Sequence, residues 1–141
     1  VDIPMCKVKL LNILNVHDCG KLINPALAEG QVHGGMSMGI GYGLSEQLIF
    51  DPKTGKPLNN NLLDYKLSTF MDHPNLQAAF VENYEPTSAF GTKALGEPPA
   101  CSPAPAIRNA ILQATGVAID RCPITPHVLF AEFTKAGLIQ D

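Results

Sequence analysis

The sequence predicts an α+β fold, a mainly antiparallel sheet with helices packed on one side. Three observations carry that expectation. Apolar residues alternate at period two near the N-terminus. An Asn, Ser or Thr followed by Pro opens three separate apolar stretches. Short apolar runs between Gly- and Pro-rich turns fill the middle of the chain. At 141 residues the chain is long enough for one domain with its own core and too short for two, so residues 1–141 are read as a single domain.

The first strand is expected over Lys7 to Val16, where Val8, Leu10, Leu14 and Val16 share even positions and Asn12 is the exception. His17 to Gly20 then turns the chain. Asn24 and Pro25 read as an N-cap and a first helical residue, where the missing N–H of proline costs no hydrogen bond, and predict a helix from Pro25 to about Glu46. That helix contains Gly30, Gly34, Gly35, Gly39, Gly41 and Gly43. Each is about 0.8–1 kcal/mol less favourable than Ala, so packing has to offset them. Gly35, Gly39 and Gly43 lie at i, i+4 and i+8, a smooth stripe that admits either another backbone, as in helix–sheet packing, or a flat ligand.

Leu48 to Phe50 reads as a short strand, followed by a hairpin loop over Asp51 to Gly55 that returns toward Leu58. A polar loop, Asn59 to Asn61, precedes a strand at Asp64 to Thr69, and Asp72-His73-Pro74 breaks the chain. Leu76 to Tyr84 reads as a strand with Leu76, Ala78 and Phe80 on one face. Glu85 to Cys101 has no periodicity, and a loop of that length in a compact domain is expected to be functional. Ser102-Pro103 opens a helix that ends at Gly116, Val117 to Cys122 is a short strand, and Thr125-Pro126 opens a last helix to about Lys135, closed by Gly137.

Composition excludes several classes. A net charge of -3, with ten Lys+Arg spread along the chain, argues against nucleic acid or an anionic membrane as the main partner. The longest uncharged apolar stretch of helical character, Gly34 to Ser45, falls short of the roughly 20 residues that a bilayer requires. No secretory signal pattern is seen at the start, and a chain opening on Val1 is expected to be a processed product or a piece of something longer. Cys6, Cys19, Cys101 and Cys122 are too far apart for a CxxC site, and a reduced, cytoplasmic protein is expected. His17, His33, His73 and His127 have no ligand-like spacing, so no protein-ligated metal is expected.

Two residues stand out chemically. Glu97 lies in Lys93-Ala94-Leu95-Gly96-Glu97-Pro98-Pro99. Gly96 permits an unusual backbone angle or the close approach of a ligand, Pro98 biases Glu97 toward an extended conformation, and both prolines stiffen the chain beyond it. A carboxylate held in this way suits a general base; the plainer alternative is a solvated loop residue. Gln31, in Glu29-Gly30-Gln31-Val32-His33-Gly34-Gly35, can offer amide donor and acceptor together to a planar heterocycle, or be an ordinary surface Gln. Ser37 has no nucleophile elbow around it. Gly39-Ile40-Gly41-Tyr42-Gly43-Leu44 lacks the third Gly of a dinucleotide fingerprint.

These blocks, together with Asn24-Pro25, Met38-Gly39-Ile40-Gly41-Tyr42 and Asp64-Tyr65-Lys66, are similar in order and spacing to the molybdenum-binding subunit of the xanthine dehydrogenase/aldehyde oxidase family. The resemblance runs from about Val8 to Phe133 and is to the C-terminal end of that subunit. It implies a molybdopterin-binding domain of the C-terminal type, an oxidoreductase component that is inactive alone. It assigns Glu97 as the catalytic base beside molybdenum and Gln31, with Gly96, to the pterin. The implied cofactor is molybdopterin, in a dinucleotide form, with molybdenum; iron–sulfur clusters and FAD would sit on other domains or subunits. The implied reaction is hydroxylation of an N-heterocycle or aldehyde with oxygen from water. The implied partners are the small-molecule substrate, the remainder of the subunit, which would carry the family's other cofactor loops, and the iron–sulfur and FAD units. Cys101 is expected to pack or to line the helix cap rather than bind metal. The rival expectation is a non-catalytic docking or assembly module of such a complex.

Overall fold

The computed structural model describes residues 1–140. Two strands, β1 (Asn12–His17) and β2 (Asn75–Phe80), and four helices, α1 (Pro25–Leu44), α2 (Pro98–Cys101), α3 (Pro103–Thr115) and α4 (Pro126–Lys135), form the regular elements. Single 3-10 turns occupy Phe70–Asp72 and Ala89–Gly91. None of these helices is long and apolar enough to cross a membrane.

The strands run parallel, from Asn12 opposite Asn75 to His17 opposite Phe80. Parallel neighbours cannot be joined by a hairpin, and α1 lies in the crossover between them. The expected mainly antiparallel sheet is therefore not formed. Among the described residues antiparallel pairing is confined to isolated bridges at Asp2–Lys7, Gly20–Thr92 and Phe50–Pro57. Each missing strand has a local cause. Leu48 to Phe50 does return on itself, with the Leu58 amide donating to Ile49 O, but Pro57 has no N–H with which to extend a ladder. Asp64 to Thr69 is bent by Asn61, whose side chain accepts from the Leu63 and Asp64 amides, and then by a capping box between Thr69 and Asp72. Val117 to Cys122 finds no strand partner. Ile119 and Ile124 are buried in the core instead, and the Ile124 amide donates to Gly43 O at 2.7 Å.

α1 and α4 start at side-chain caps, whereas the expected cap Ser102 makes no capping bond to α3 and its hydroxyl donates to Asn15 Oδ1 instead. Asn24 Oδ1 accepts from the Leu27 amide at 3.1 Å and Thr125 Oγ1 from the Val128 amide at 3.4 Å. Gly116, at φ 74°, closes α3 in the left-handed region that favours glycine. The core gathers Ile40 of α1, Ile107 and Ile111 of α3, Leu129 and Phe133 of α4, and Ile119, Ile124 and Cys6 from connecting segments. In β1 the even residues Leu14 and Val16 share a face, as the alternation requires, but that face is exposed; Ile13, Asn15 and His17 point inward. Leu62, Leu63, Phe70, Met71 and Phe90 are also exposed, Phe70 to 89%.

The glycine stripe of α1 meets another helix rather than the sheet. A Cβ at Gly35 would lie 2.5 Å from Pro99 Cβ, and one at Gly39 would lie 2.6 Å from Ala100 O and 2.7 Å from Pro103 Cγ. At Gly43 the neighbour is Ala104, at 3.3 Å. The stripe thus seats α2 and the first turn of α3. Gly30 and Gly34 have nothing within 4 Å of a Cβ position.

This contrast yields a stability prediction. Gly35→Ala gains about 1 kcal/mol of helix propensity and loses about 1–3 kcal/mol to overpacking against Pro99, so its melting temperature falls. Gly30→Ala gains the propensity alone, and its melting temperature rises. Shifts of the same sign for the two variants would contradict the packing described.

Candidate functional site

The segment that carries Glu97 is tied down before it reaches the carboxylate. The Lys21 amide donates to Gly91 O at 2.8 Å and the Lys93 amide to Cys19 O at 2.7 Å, on either side of the Gly20–Thr92 bridge. Gly20 is required there twice over: its φ is 69°, and a Cβ would fall 2.9 Å from the Lys93 amide. Asp18 braces the same point, accepting from Lys93 Nζ at 2.6 Å, the Gly20 amide at 3.0 Å and Asn83 Nδ2 at 3.3 Å. These bonds, the one from Lys93 foremost, hold the Asp18 carboxyl below its ordinary value of 3.8.

Glu97 comes next, as the N-cap residue of α2, with its side chain exposed and making no capping bond. Its backbone is helical, φ −88° and ψ −28°, rather than extended as Pro98 predicts. Proline disfavours that region for the preceding residue without forbidding it, and here the turn is closed by the Ala100 amide donating to Glu97 O at 2.9 Å. Nor does Gly96 adopt a positive φ. What its missing side chain supplies is room, since nothing lies within 4 Å of a Cβ position.

Gln31 and Gly96 come together across 65 residues of chain: Gln31 Nε2 donates to Gly96 O at 3.1 Å. The amide is thereby fixed through its nitrogen, and its oxygen accepts no hydrogen bond among the described residues. Gln31 lies on an exposed face of α1 with Leu27, Gly34 and Met38, at helical spacing.

Sequence reasoning missed Asn15. Only 6% exposed, this β1 residue donates from Nδ2 to Pro99 O at 3.1 Å and accepts at Oδ1 from Ser102 Oγ at 3.2 Å. The available signal was a polar residue in register with Ile13, hidden by reading the even positions as the strand's significant set. Of the two expectations for Cys101, packing is not met, while its Sγ does lie against the carbonyl of the α2 cap residue. Cys101 is exposed, its Sγ 3.8 Å from Glu97 O, and all four cysteines are free thiols. Of the Asp64-Tyr65-Lys66 block, Tyr65 donates to Glu46 Oε2 at 2.6 Å beyond the end of α1, a bond that raises its pKa. A cavity of about 720 Å³ between Lys7–Leu10, α1 and Lys66–His73 includes none of Gln31, Gly96 and Glu97.

A family model described as the molybdopterin cofactor-binding domain matches residues 1–74. The chain is similar to the xanthine dehydrogenase molybdenum-binding subunit of Escherichia coli, 60% identical over 139 residues, which are 99% of this chain and 18% of that protein. Among solved structures it is similar to quinoline 2-oxidoreductase from Pseudomonas putida, with a TM-score of 0.82, 32% identity, and coverage of 90% of this chain and 16% of that one. It is likewise similar to aldehyde oxidoreductase from Desulfovibrio gigas, with a TM-score of 0.83, 32% identity, and coverage of 95% and 14%. The chain therefore spans less than a fifth of the length of these relatives.

The depressed Asp18 carboxyl makes its bracing pH-dependent. Its folded pKa lies below the unfolded value, so its contribution is present above the ordinary 3.8 and is lost as pH falls through the folded pKa. Thermal melts of wild type and Asp18→Asn are expected to differ at about pH 6 and to converge below the ordinary carboxylate range. A gap that stays constant down that range would remove Asp18 from the account.

Proposed function

The chain belongs to the molybdopterin cofactor-binding domain family, and from that premise we propose that it is the C-terminal domain of the molybdenum-binding subunit of a xanthine dehydrogenase-like hydroxylase. The observation that carries the reading is the Gln31–Gly96 hydrogen bond, which brings the expected pterin contact to the residue adjoining Glu97.

The residues present fit a pterin. Gln31 offers its amide oxygen from a well-packed helix, and Gly30, Gly34 and Gly96 leave side-chain-free space around it. Gln31 and the Gly96 backbone would hold the group. When bound, molybdopterin with its molybdenum supplies the two-electron redox chemistry and the water-derived oxygen of a hydroxylation. The part of this chain is narrower. The Glu97 carboxylate stands exposed on a short turn that is packed from below by α1, and as a general base it takes up the proton released when oxygen is transferred to carbon.

The names of the relatives support N-heterocycles and aldehydes as the substrate class. Iron–sulfur clusters and FAD on other domains or subunits would carry the electrons away, and a dinucleotide form of the pterin goes with the same reading. A cytoplasmic setting goes with the same reading. The exposed Leu62, Leu63, Phe70, Met71 and Phe90 support burial against the rest of the subunit. The same apolar residues favour the second reading, a docking module without a catalytic part.

The two readings separate on one substitution in the complete enzyme. Glu97→Gln is expected to lower turnover about 10²–10⁴-fold, the usual contribution of a positioned base, with molybdenum and pterin content unchanged. Turnover equal to wild type would leave only the docking reading. Gln31→Leu is expected to act differently, lowering the pterin retained per subunit after gel filtration; full retention would remove Gln31 from the cofactor site.

A further inference from the structure

We propose that Asn15 is a positioning residue for the Glu97 carboxylate, an inference that rests on the reading of Glu97 as the base. The carbonyl of Pro99 lacks its usual donor. In a helix it would accept from the amide of residue 103, but residue 103 is proline and has no N–H. Pro99 is fully buried, so water does not make up the loss. Asn15 Nδ2 supplies the donor, at 3.1 Å.

The orientation of that amide is itself determined. Ser102 Oγ donates to Asn15 Oδ1 at 3.2 Å, which leaves Nδ2 facing Pro99. Asn15 in turn sits on a paired strand, opposite Ala78 of β2. A four-residue helix such as α2 has no stability of its own and takes its direction from what it touches. Gly35 sets how closely α2 approaches α1, and Asn15 sets its tilt from the other side. Glu97 is two residues before Pro99 on the same turn, so a change of tilt moves the carboxylate.

The test uses the complete molybdenum-loaded enzyme, assayed with whichever of xanthine, quinoline and benzaldehyde the wild type oxidises fastest. Asn15→Ala is expected to lower kcat per molybdenum about 10- to 100-fold, as displacement of a reacting group by about 1 Å does, with KM within about twofold of wild type and faster amide exchange at Ala100 and Cys101. Pro103→Ala returns an N–H at residue 103, and the double variant Asn15→Ala/Pro103→Ala is expected to regain about fivefold in kcat over Asn15→Ala. A role confined to stability would lower cofactor content without changing kcat per molybdenum and would show no such rescue. Should Asn15→Ala not assemble, Ser102→Ala frees the amide alone, with kcat falling about threefold to tenfold. Wild-type kcat in the variant that assembles, with Glu97→Gln inactive beside it, overturns the role of Asn15. Wild-type turnover of Glu97→Gln overturns instead the reading on which it rests.

Discussion

The rest of the site depends on the contact between Gly35 of α1 and Pro99 of α2. A single Cβ on Gly35 would fall 2.5 Å from Pro99 Cβ, so α2 reaches its position only because α1 has no side chain there. Gly39 repeats the arrangement one turn on, against Ala100 O and Pro103. The helix-propensity loss at these glycines is the counterpart of close packing, which places a four-residue turn and its Glu97 against a helix of 20 residues. From the other end the Gly20–Thr92 bridge and Asp18 fix the approach of the loop, and Asn15 supports α2 from the sheet.

Buried and exposed parts of the site divide the work. Pro99, Gly35 and Asn15 are out of solvent and set geometry, while Gln31 and Glu97 stand exposed on the elements so positioned. A functional group on a loop is precise only when its supporting shell is packed and hydrogen-bonded. Here the Gln31–Gly96 bond ties the Gln31 amide to the backbone of the residue preceding Glu97, which links α1 to the start of the Glu97 turn.

The three longer helices were legible in the sequence because their signals are local, whereas α2 lies inside the stretch Glu85 to Cys101 that was expected to be loop. Asn24-Pro25 and Thr125-Pro126 place a cap and a compatible first residue side by side, and Gly116 marks a left-handed terminus. The strands were less legible because pairing is not local. β1 finds its partner some 60 residues on, and parallel, which no alternation within Lys7 to Val16 can indicate. Alternation also leaves open which face is inward, so Leu14 and Val16 were visible and Asn15 was not. Gln31, Gly96 and Glu97 stood out as candidates by their surrounding residues and by the family resemblance, and their roles remain proposals. The helical backbone of Glu97 was not legible, since Pro98 points the other way and the compensating bonds come from Ala100 within α2 and from Asn15 of β1.

On the proposed reading, this packing holds Glu97 where a base is needed and Gln31 where the pterin lies. That reading is tested most directly by a crystal structure of the complete subunit loaded with molybdopterin and a slowly oxidised substrate. The account predicts the Glu97 carboxylate on the substrate side of the metal, within hydrogen-bond reach, about 2.6–3.2 Å, of the group whose proton it takes, with the Gln31 amide on the pterin. A Glu97 carboxylate turned to bulk solvent, with α2 still seated on Gly35, would contradict it.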